Sequence, residues 1–142
     1  QRRYYSGKKK KHTQKIQLLI TAKGKIICVA IGKGRKHDLR LYKESKTQLH
    51  PQLTLKDDSG YQGISKLHGR SEVPHKQSKK RPLPPEQKTY TRNISTERVM
   101  VEHVIRKLKI FRILQERYRN RRKRFGLRVN LIAGVVNYEL AV

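Results

Sequence analysis

Two short apolar runs near the start of the chain, residues 16–20 and 26–31, constrain the fold most strongly. They are separated by the segment 22–25 (AKGK). Both runs are rich in β-branched residues, which favour strands, and a glycine between two such runs is typical of a hairpin turn. The second run is apolar on both sides, as in a strand that is covered on both faces. The sequence therefore predicts a β-hairpin over residues 15–31.

The segment after the hairpin predicts three smaller elements. Asp38 precedes the sequence LRLYKES, and aspartate is a favoured N-cap, so a short helix is expected over residues 39–45. Residues 53–57 predict a strand that runs into a turn at Ser59-Gly60. Residues 64–68 predict a single helical turn.

The C-terminal half changes from an irregular segment to helices. Residues 69–93 contain four of the five prolines and have almost no apolar periodicity, which predicts an irregular, basic, exposed loop. Over residues 94–120 the apolar side chains recur at helical spacing, with Ser95 at the expected N-cap. Residues 127–138 predict a second, more apolar helix. The apolar stripe of the first helix consists of Ile94, Val101, Val104, Ile105, Leu108 and Phe111. The C-terminal segment 94–142 is thus expected to be helical.

The balance of charge indicates the kind of partner. Lysine and arginine number 36, and aspartate and glutamate number 10, which gives a formal net charge of +26. A chain this positive repels itself and favours a polyanion, usually a nucleic acid. No apolar run approaches the roughly 20 residues of a membrane span, so no membrane partner is expected. Charge alone fits a non-enzymatic nucleic-acid-binding protein as well as a DNA-processing enzyme.

Several kinds of site are excluded. A single cysteine, Cys28, cannot form an internal disulfide or a multi-cysteine zinc site, and it indicates a reducing, intracellular setting. The segment Gly32-Lys33-Gly34 is too short for the phosphate loop of a nucleotide triphosphatase. The six histidines lack the spacing of zinc fingers or of HExxH metalloproteases. No serine or cysteine lies in a nucleophile elbow.

One glutamate stands among cations. On a helix Arg98, Glu102, Arg106 and Lys109 fall within an arc of about 80°, opposite the apolar stripe. These residues could form a set of exposed ion pairs four residues apart, each worth a few tenths of a kcal/mol. The alternative is that Glu102 is a functional carboxylate with basic neighbours.

Two adjacent aspartates, Asp57 and Asp58, follow the predicted strand 53–57 at a glycine-containing turn. Alternation along the strand places Asp57 on the leucine side and Asp58 at the exit. Carboxylates at strand ends can project into a cleft, and hard divalent cations prefer such oxygen ligands. The other interpretation is an aspartate that caps the turn before Ser59-Gly60.

Two long segments resemble a known family. Residues 4–45 (YYSGKKKKHTQKIQLLITAKGKIICVAIGKGRKHDLRLYKES) resemble the central part of DDE-type transposases of bacterial insertion sequences. Within them, the Gly-Lys-Gly-x-x-His-Asp element over residues 32–38 also resembles the Harbinger-like DDE superfamily endonucleases. Residues 117–141 look like the C-terminal end of the family, so the resemblance covers essentially the whole chain.

Two short motifs, found together and in order, make the resemblance specific. The sequence DDSGYQG resembles the Asp-x-Gly-Tyr motif of the family, matched by Asp58, Gly60 and Tyr61. The sequence TERVMVEHVIRKLK resembles the signature Arg-x3-Glu-x6-Lys. The residues that match this signature are Arg98, Glu102 and Lys109. The chain departs from it at Ser95, where the family often has tyrosine.

The resemblance implies a fold and a chemistry. The fold is α/β, a ribonuclease-H-like mixed sheet flanked by helices, and the activity is cleavage and transfer of DNA strands. The resemblance implies a triad of two aspartates and one glutamate that holds divalent metal, Mg²⁺ or Mn²⁺. Asp58 would be the second aspartate and Glu102 the glutamate, both catalytic and both metal ligands. Asp38 would be a further metal-linked aspartate, as in some relatives.

The first aspartate of the triad normally lies on a strand just before the basic Tyr-Ser-Gly-Lys segment. In this sequence no aspartate precedes Asp38. We therefore expect residues 1–142 to be the C-terminal part of a DDE transposase catalytic domain that lacks its first strand and is inactive alone. The expected partners are DNA, as transposon ends and target, with an upstream transposase half or further copies of the chain. The expected location is the bacterial cytoplasm, at the nucleoid.

Basic residues near the site and in three segments are expected to follow the DNA backbone. The segments are residues 8–11, 76–81 and 117–128. The individual residues expected to bind DNA are Lys8, Lys9, Lys10, Lys11, Arg98, Lys109, Arg121, Arg122 and Arg124. Two alternatives stay open, a non-enzymatic basic nucleic-acid-binding protein and a non-functional transposase remnant. The binding-protein alternative predicts that every carboxylate can be replaced without loss.

Overall fold

The structure, a computed structural model, describes residues 4–7, 10–75, 83–116 and 122–142. The strands are β1 (Tyr5–Ser6), β2 (Lys11–His12), β3 (Gln14–Ile20), β4 (Ile26–Lys33), β5 (Leu55–Lys56) and β6 (Ser71–Glu72). The helices are α1 (Asp38–Ser45), α2 (Pro85–Glu97), α3 (Val99–Ile110), α4 (Arg112–Gln115) and α5 (Phe125–Glu139). Short 3-10 turns occur at Ser59–Tyr61, Ile64–Lys66 and Arg122–Arg124. The protein is a mixture of α and β elements, as predicted.

The predicted hairpin is formed by β3 and β4, which pair antiparallel with Ile16 opposite Ile31. A register shift next to Ile20 marks a bulge before the turn. Gly24 adopts a φ of 85° in this turn, a conformation that favours glycine. A Cβ on this residue would also lie 3.1 Å from the sulfur of Met100 in α3. The turn therefore favours glycine for its backbone conformation, and the Met100 side chain of α3 packs closely against it.

The hairpin has an apolar cluster on each face. Leu18 and Leu19 are adjacent on β3, so their side chains point to opposite faces. Leu18 packs against the first cluster, formed by β4, α3 and α5, whose buried members are Ile26, Val104, Leu108, Ile132, Ala133 and Val136. Leu19 packs against the second cluster, whose buried members are Tyr42, Leu55 and Ile64. The second cluster fixes α1 and β5 against the hairpin, and β5 leads into the aspartate turn.

Strand β4 is covered only in part, which corrects the prediction of a strand buried on both faces. Helices α1 and α5 both contact it. The Asn137 amide of α5 accepts a hydrogen bond from the Ile26 N–H and donates one to the Ile26 carbonyl, each at 2.8 Å. The neighbouring Ile27 is nevertheless 54% exposed.

Within the described residues the strands form three separate two-stranded pairs, β1–β2, β3–β4 and β5–β6. The predicted single mixed sheet that would join β5 to the hairpin is not formed. Strands β5 and β6 are only two residues long and pair in parallel with each other. The segment that contains β5 contacts β3 through side chains. Leu19 packs in the cluster of Leu55, and the Tyr61 hydroxyl donates to the Gln17 side chain.

The C-terminal segment is helical as predicted, but the single helix predicted over residues 94–120 is wrong, because the described part is divided at Arg98 and Phe111 into α2, α3 and α4. Its predicted start is wrong as well. Helix α2 begins at Pro85, so residues 85–93 are helical and not part of an irregular loop. Proline suits the first turn of a helix, where its missing N–H has no intrahelical partner. Ser95 consequently lies inside α2 and donates to the Thr91 carbonyl at 2.8 Å, so it is not an N-cap. The predicted basic segment 76–81 lies outside the described residues.

The smaller predicted elements are also present, with different boundaries. Helix α1 is confirmed, but its N-cap is His37 and Asp38 is its first residue. The predicted strand 53–57 is shorter, over β5, and the predicted turn over 64–68 is the 3-10 turn Ile64–Lys66. Among the helices of the described ranges, none is long and apolar enough to cross a membrane.

Candidate active site

The candidate site is centred on the turn that follows β5. The Asp57 N–H donates to the Glu72 carbonyl of β6 at 2.9 Å, so pairing continues past the end of the strand. Asp57 is 9% exposed, while the side chain of Asp58 is 54% exposed. The predicted alternation is confirmed, because Asp57 points into the core and Asp58 points to solvent.

Arg98 connects this turn to α3. Its guanidinium lies 3.5 Å from the Asp58 carboxylate. Arg98 is the residue between α2 and α3, and its carbonyl accepts a hydrogen bond from the Glu102 N–H at 3.2 Å. Glu102 is therefore one helical turn from the residue that contacts Asp58, although the two carboxylates are far apart in the sequence.

The helical spacing suggested ion pairs between Glu102 and the basic residues one turn away. In the structure, Arg98 contacts Asp58 instead. Glu102 is exposed and forms no ion pair with any residue of the described ranges. It lies in the first turn of α3, where the helix dipole favours a negative charge. Arg98 thus neutralises Asp58 and leaves the Glu102 carboxylate free.

A second ion pair holds the same junction. Lys56 of β5 pairs with Glu97, the last residue of α2, and with Glu72 of β6 at 3.6 Å. Hydrogen bonding to Glu97 is the main cause that raises the pKa of Lys56. Together with the Arg98 contact, this pair fixes the end of α2 to the end of β5. Sequence reasoning missed this pair, because Lys56 and Glu97 are far apart in the sequence and neither is a matched residue of a motif.

Asp38 lies on the other side of the same turn. One carboxylate oxygen is 2.9 Å from the Lys15 ammonium of β3. The other faces Gly60, since a Cβ on Gly60 would lie only 2.7 Å from it. The glycine of the Asp-x-Gly-Tyr motif therefore leaves room for the Asp38 carboxylate. Lys15 is a third residue that sequence reasoning missed.

The pKa of Tyr61 is affected by the negative charges around the turn. Its hydroxyl donates to the Gln17 side-chain oxygen at 3.2 Å. Burial is the main cause that raises the pKa of Tyr61, and the negative charges of Asp38, Asp57 and Asp58 raise it further. Three aspartates thus lie close enough to one phenol to disfavour its ionised form, which places Asp38 and Asp58 in one electrostatic cluster.

Asp57 is the buried member of this cluster. Burial raises its pKa to about 6, and the negative charge of Asp58 acts in the same direction, while His68 and Arg98 act against it. One Asp57 oxygen has no hydrogen-bond partner among the described residues. Its position in the core suits a structural carboxyl group better than a ligand open to solvent.

The residues present fit only part of a metal site. In the part of the chain that the structure describes, no group of three or more His, Cys, Asp or Glu side chains is placed to hold a metal ion. Glu102 has an exposed carboxylate with no ion pair among the described residues, and carboxylate oxygens suit hard divalent cations. The carboxylate of Asp58 is exposed but contacts Arg98. Asp38 is occupied by Lys15. A complete ligand set requires at least one more donor.

The cations expected to bind DNA are distributed over several elements. Lys10 and Lys11 are exposed at the β1–β2 turn, Lys109 is exposed on α3, and Arg124 is exposed where α5 begins. Lys8, Lys9, Arg121 and the side chain of Arg122 lie outside the described residues. Arg98 has a half-buried side chain engaged with Asp58, so its position is that of a site residue.

Comparisons with known proteins show the family of the chain. The chain is 52% identical, over 143 residues, to a probable transposase for insertion sequence element IS702 of Microchaete diplosiphon. The match covers all of this chain and 52% of the relative, so the chain spans about half the length of the curated relative that it matches. No solved structure matches. Residues 1–137 match the family described as DDE superfamily endonuclease. The chain therefore belongs to the DDE superfamily endonuclease family.

Proposed function

We propose that this chain supplies the second and third carboxylates of a transposase active site that cleaves DNA and transfers the cut strand. Asp58 is the second aspartate and Glu102 the glutamate. The observation that supports this most strongly is the Asp58–Arg98 contact, since Arg98 is one helical turn from Glu102. Family membership supports the same chemistry.

In this proposal Asp58 and Glu102 bind a divalent cation, Mg²⁺ or Mn²⁺, and Asp38 is a further ligand once Lys15 moves away. A bound pair of such ions supplies activation of the attacking oxygen and neutralises charge on the phosphate. The chain positions the carboxylates, because the ion pairs at the ends of α2 and β5 fix the Asp58 turn relative to α3. The missing donor is an aspartate on a strand of an upstream segment.

The same upstream strand would complete a ribonuclease-H-like sheet. The antiparallel pair β3–β4 and the parallel pair β5–β6 are the two kinds of pairing that a mixed sheet contains. They already contact each other through Leu19 and Leu55. A strand that joins them would bring its own aspartate toward Asp58.

DNA is the substrate in this proposal, and the net charge of +26 supports it. Contacts from exposed lysines and arginines to phosphate are independent of sequence and sensitive to salt. Such contacts hold the duplex, while the carboxylates act at the scissile phosphate. Without the upstream aspartate, the chain is expected to bind DNA and to cleave it negligibly, because residues that act as a unit are strongly non-additive.

The test joins the chain to the N-terminal half of the IS702 transposase and measures DNA cleavage with Mg²⁺ or Mn²⁺. The fused protein should cleave, and Glu102→Gln should abolish cleavage while DNA affinity is retained. Glu86→Gln is the matched control, because Glu86 is an exposed glutamate of α2 that the proposal leaves out of the site. Cleavage by the Glu102→Gln protein would refute the assignment. A fused protein that binds DNA but never cleaves would favour the binding-protein or remnant alternative.

A further inference from the structure

Helix α5 is apolar on two opposite faces. One face packs in the first cluster through Ile132, Ala133 and Val136. Between the ends of the helix, the exposed positions recur every three or four residues, so they form a second face opposite the buried one. This outer face of α5 consists of Leu127, Asn130, Leu131, Gly134, Val135 and Tyr138. None of its residues is charged, although 32% of the chain is charged.

The outer face of α5 differs from the exposed face of α3. Helix α3 exposes Glu102, Arg106 and Lys109, as is usual for a helix face in water. On α5 the four large apolar side chains of the outer face are between 47% and 71% exposed. A contiguous apolar patch of this kind on a protein surface commonly marks a site of interaction. The described residues therefore leave this face of α5 without a partner.

A glycine lies near the middle of the outer face. A Cβ on Gly134 would meet no atom of the described residues within 4 Å. Packing inside the chain therefore gives no reason for glycine, which is less favourable than alanine in the interior of a helix. Leu131 and Tyr138 lie one helical turn before and after it, so Gly134 leaves a notch between two large side chains. Such a notch allows the backbone of another segment to approach α5 closely.

Two kinds of occupant could cover this face, a second copy of the chain or the rest of a longer protein. A second copy is disfavoured, because each copy carries a net charge of +26 and the outer face offers no acidic residue to offset the repulsion. The IS702 relative provides the other candidate, since the match covers 52% of it and leaves about half of its length outside. A segment of the same polypeptide also docks at a high effective concentration.

We propose that the outer face of α5 binds an apolar segment of the upstream transposase half, with the closest approach at Gly134. The inference rests on the proposed function, which supplies the upstream half. It adds a second attachment for that half, besides the strand that joins β3–β4 to β5–β6. Because α5 packs on β4, a segment bound to its outer face is anchored to the same hairpin that the added strand joins.

The test measures how fast a cysteine on the outer face reacts with iodoacetamide, in the chain alone and in the chain fused to the N-terminal half of the IS702 transposase. Leu131→Cys and Val135→Cys probe the face, and peptide mass spectrometry separates each site from the native Cys28. Both should react rapidly in the chain alone. In the fused protein they should react at least about tenfold more slowly, because packed side chains react only when the structure opens locally. Ile110→Cys is the matched control, since Ile110 is 76% exposed at the end of α3 and should react equally fast in both proteins.

Gly134→Leu tests the notch. In the chain alone it should not lower the thermal midpoint, because a Cβ there meets open space among the described residues. In the fused protein it should restore fast alkylation of Val135→Cys, because the new side chain fills the notch.

Fast alkylation of both α5 cysteines in a fused protein that cleaves DNA would overturn the inference while the proposed function stands. Slow alkylation in a fused protein that never cleaves would support the inference and count against the proposed function. Slow alkylation in the chain alone, together with a dimer in sedimentation, would overturn the inference in favour of a second copy.

Discussion

The Asp58 carboxylate lies 3.5 Å from the Arg98 guanidinium, and this contact joins the end of a strand to the start of a helix. The residue after Arg98 begins α3, whose first turn carries Glu102. This ion pair therefore connects two motifs that are distant in the sequence. Arg98 provides the positive charge next to Asp58.

The strength of this contact can be measured with a double-mutant cycle of Asp58→Asn and Arg98→Gln. The two side chains are 54% and 26% exposed, so solvent weakens the interaction. We expect a coupling energy between about 0.2 and 1 kcal/mol in the free energy of unfolding, as for other exposed pairs. Urea denaturation of the four proteins gives the value. A coupling above about 2 kcal/mol would show that the pair is buried in solution.

Gly60 should not tolerate a side chain. In Gly60→Ala the new Cβ would lie 2.7 Å from the Asp38 oxygen, so the carboxylate must move away from Lys15. We expect a loss of about 1–3 kcal/mol in unfolding free energy, as for other overpacked sites. Gly69→Ala is the control, because a Cβ there meets no atom within 4 Å. Adding Asp38→Ala should recover part of the loss, and a loss that persists in full would contradict the clash with Asp38.

Asn137 should be more important for stability than its position near the end of α5 suggests. Its side chain makes both hydrogen bonds to the backbone of the buried residue Ile26, each at 2.8 Å. Asn137→Ala leaves two backbone groups without partners, so we expect a loss of about 2 kcal/mol or more in thermal or urea unfolding. Asn130→Ala on the exposed face of the same helix should cost less than about 0.5 kcal/mol. Equal effects of the two substitutions would mean that the Ile26 contact is not formed.

The sequence predicts elements better than it predicts the contacts between them. The β3–β4 hairpin could be predicted because a glycine and two β-branched runs are local signals. The start of α2 was missed because Pro84 and Pro85 are signals of loops as well as of a first helical turn.

The candidate site shows the same limit. Asp58 and Glu102 were found from motifs, whereas the contact of Asp38 with Lys15 joins elements that no periodicity relates. The connection from Asp58 through Arg98 to Glu102 likewise depends on how α3 packs on the hairpin. Such contacts depend on the tertiary fold, which a single sequence specifies only through the sum of many weak interactions.

The buried phenol of Tyr42 should make stability depend on alkaline pH. Burial is the main cause that raises the pKa of Tyr42, with smaller contributions from Asp57 and Cys28. The pKa in the folded protein therefore lies above the unfolded value of about 10. The neutral phenol stabilises the fold fully below pH 10, and this contribution is lost as the pH rises further.

Tyr42→Phe removes this titration. The unfolding free energy of the variant relative to wild type should therefore increase between about pH 8 and about pH 11. Taking the difference cancels the effect of the many lysines that titrate in the same range. Tyr138→Phe, at an exposed position, should follow wild type across the range. A constant difference for Tyr42→Phe would mean that this phenol is exposed to solvent in solution.

The basic segment 8–11 should account for part of the salt dependence of DNA binding. Each phosphate contact contributes about 0.9 to the slope of log affinity against log salt concentration. Replacing Lys8, Lys9, Lys10 and Lys11 by alanine should therefore lower the slope by up to about 4. Titration of a fluorescent duplex at several salt concentrations gives the slope. The control replaces four other lysines, Lys23, Lys25, Lys43 and Lys46, which are exposed on the hairpin turn and at the end of α1. Both variants lose the same net charge, so an equal change in slope would show a diffuse effect of charge and not contact between segment 8–11 and phosphate.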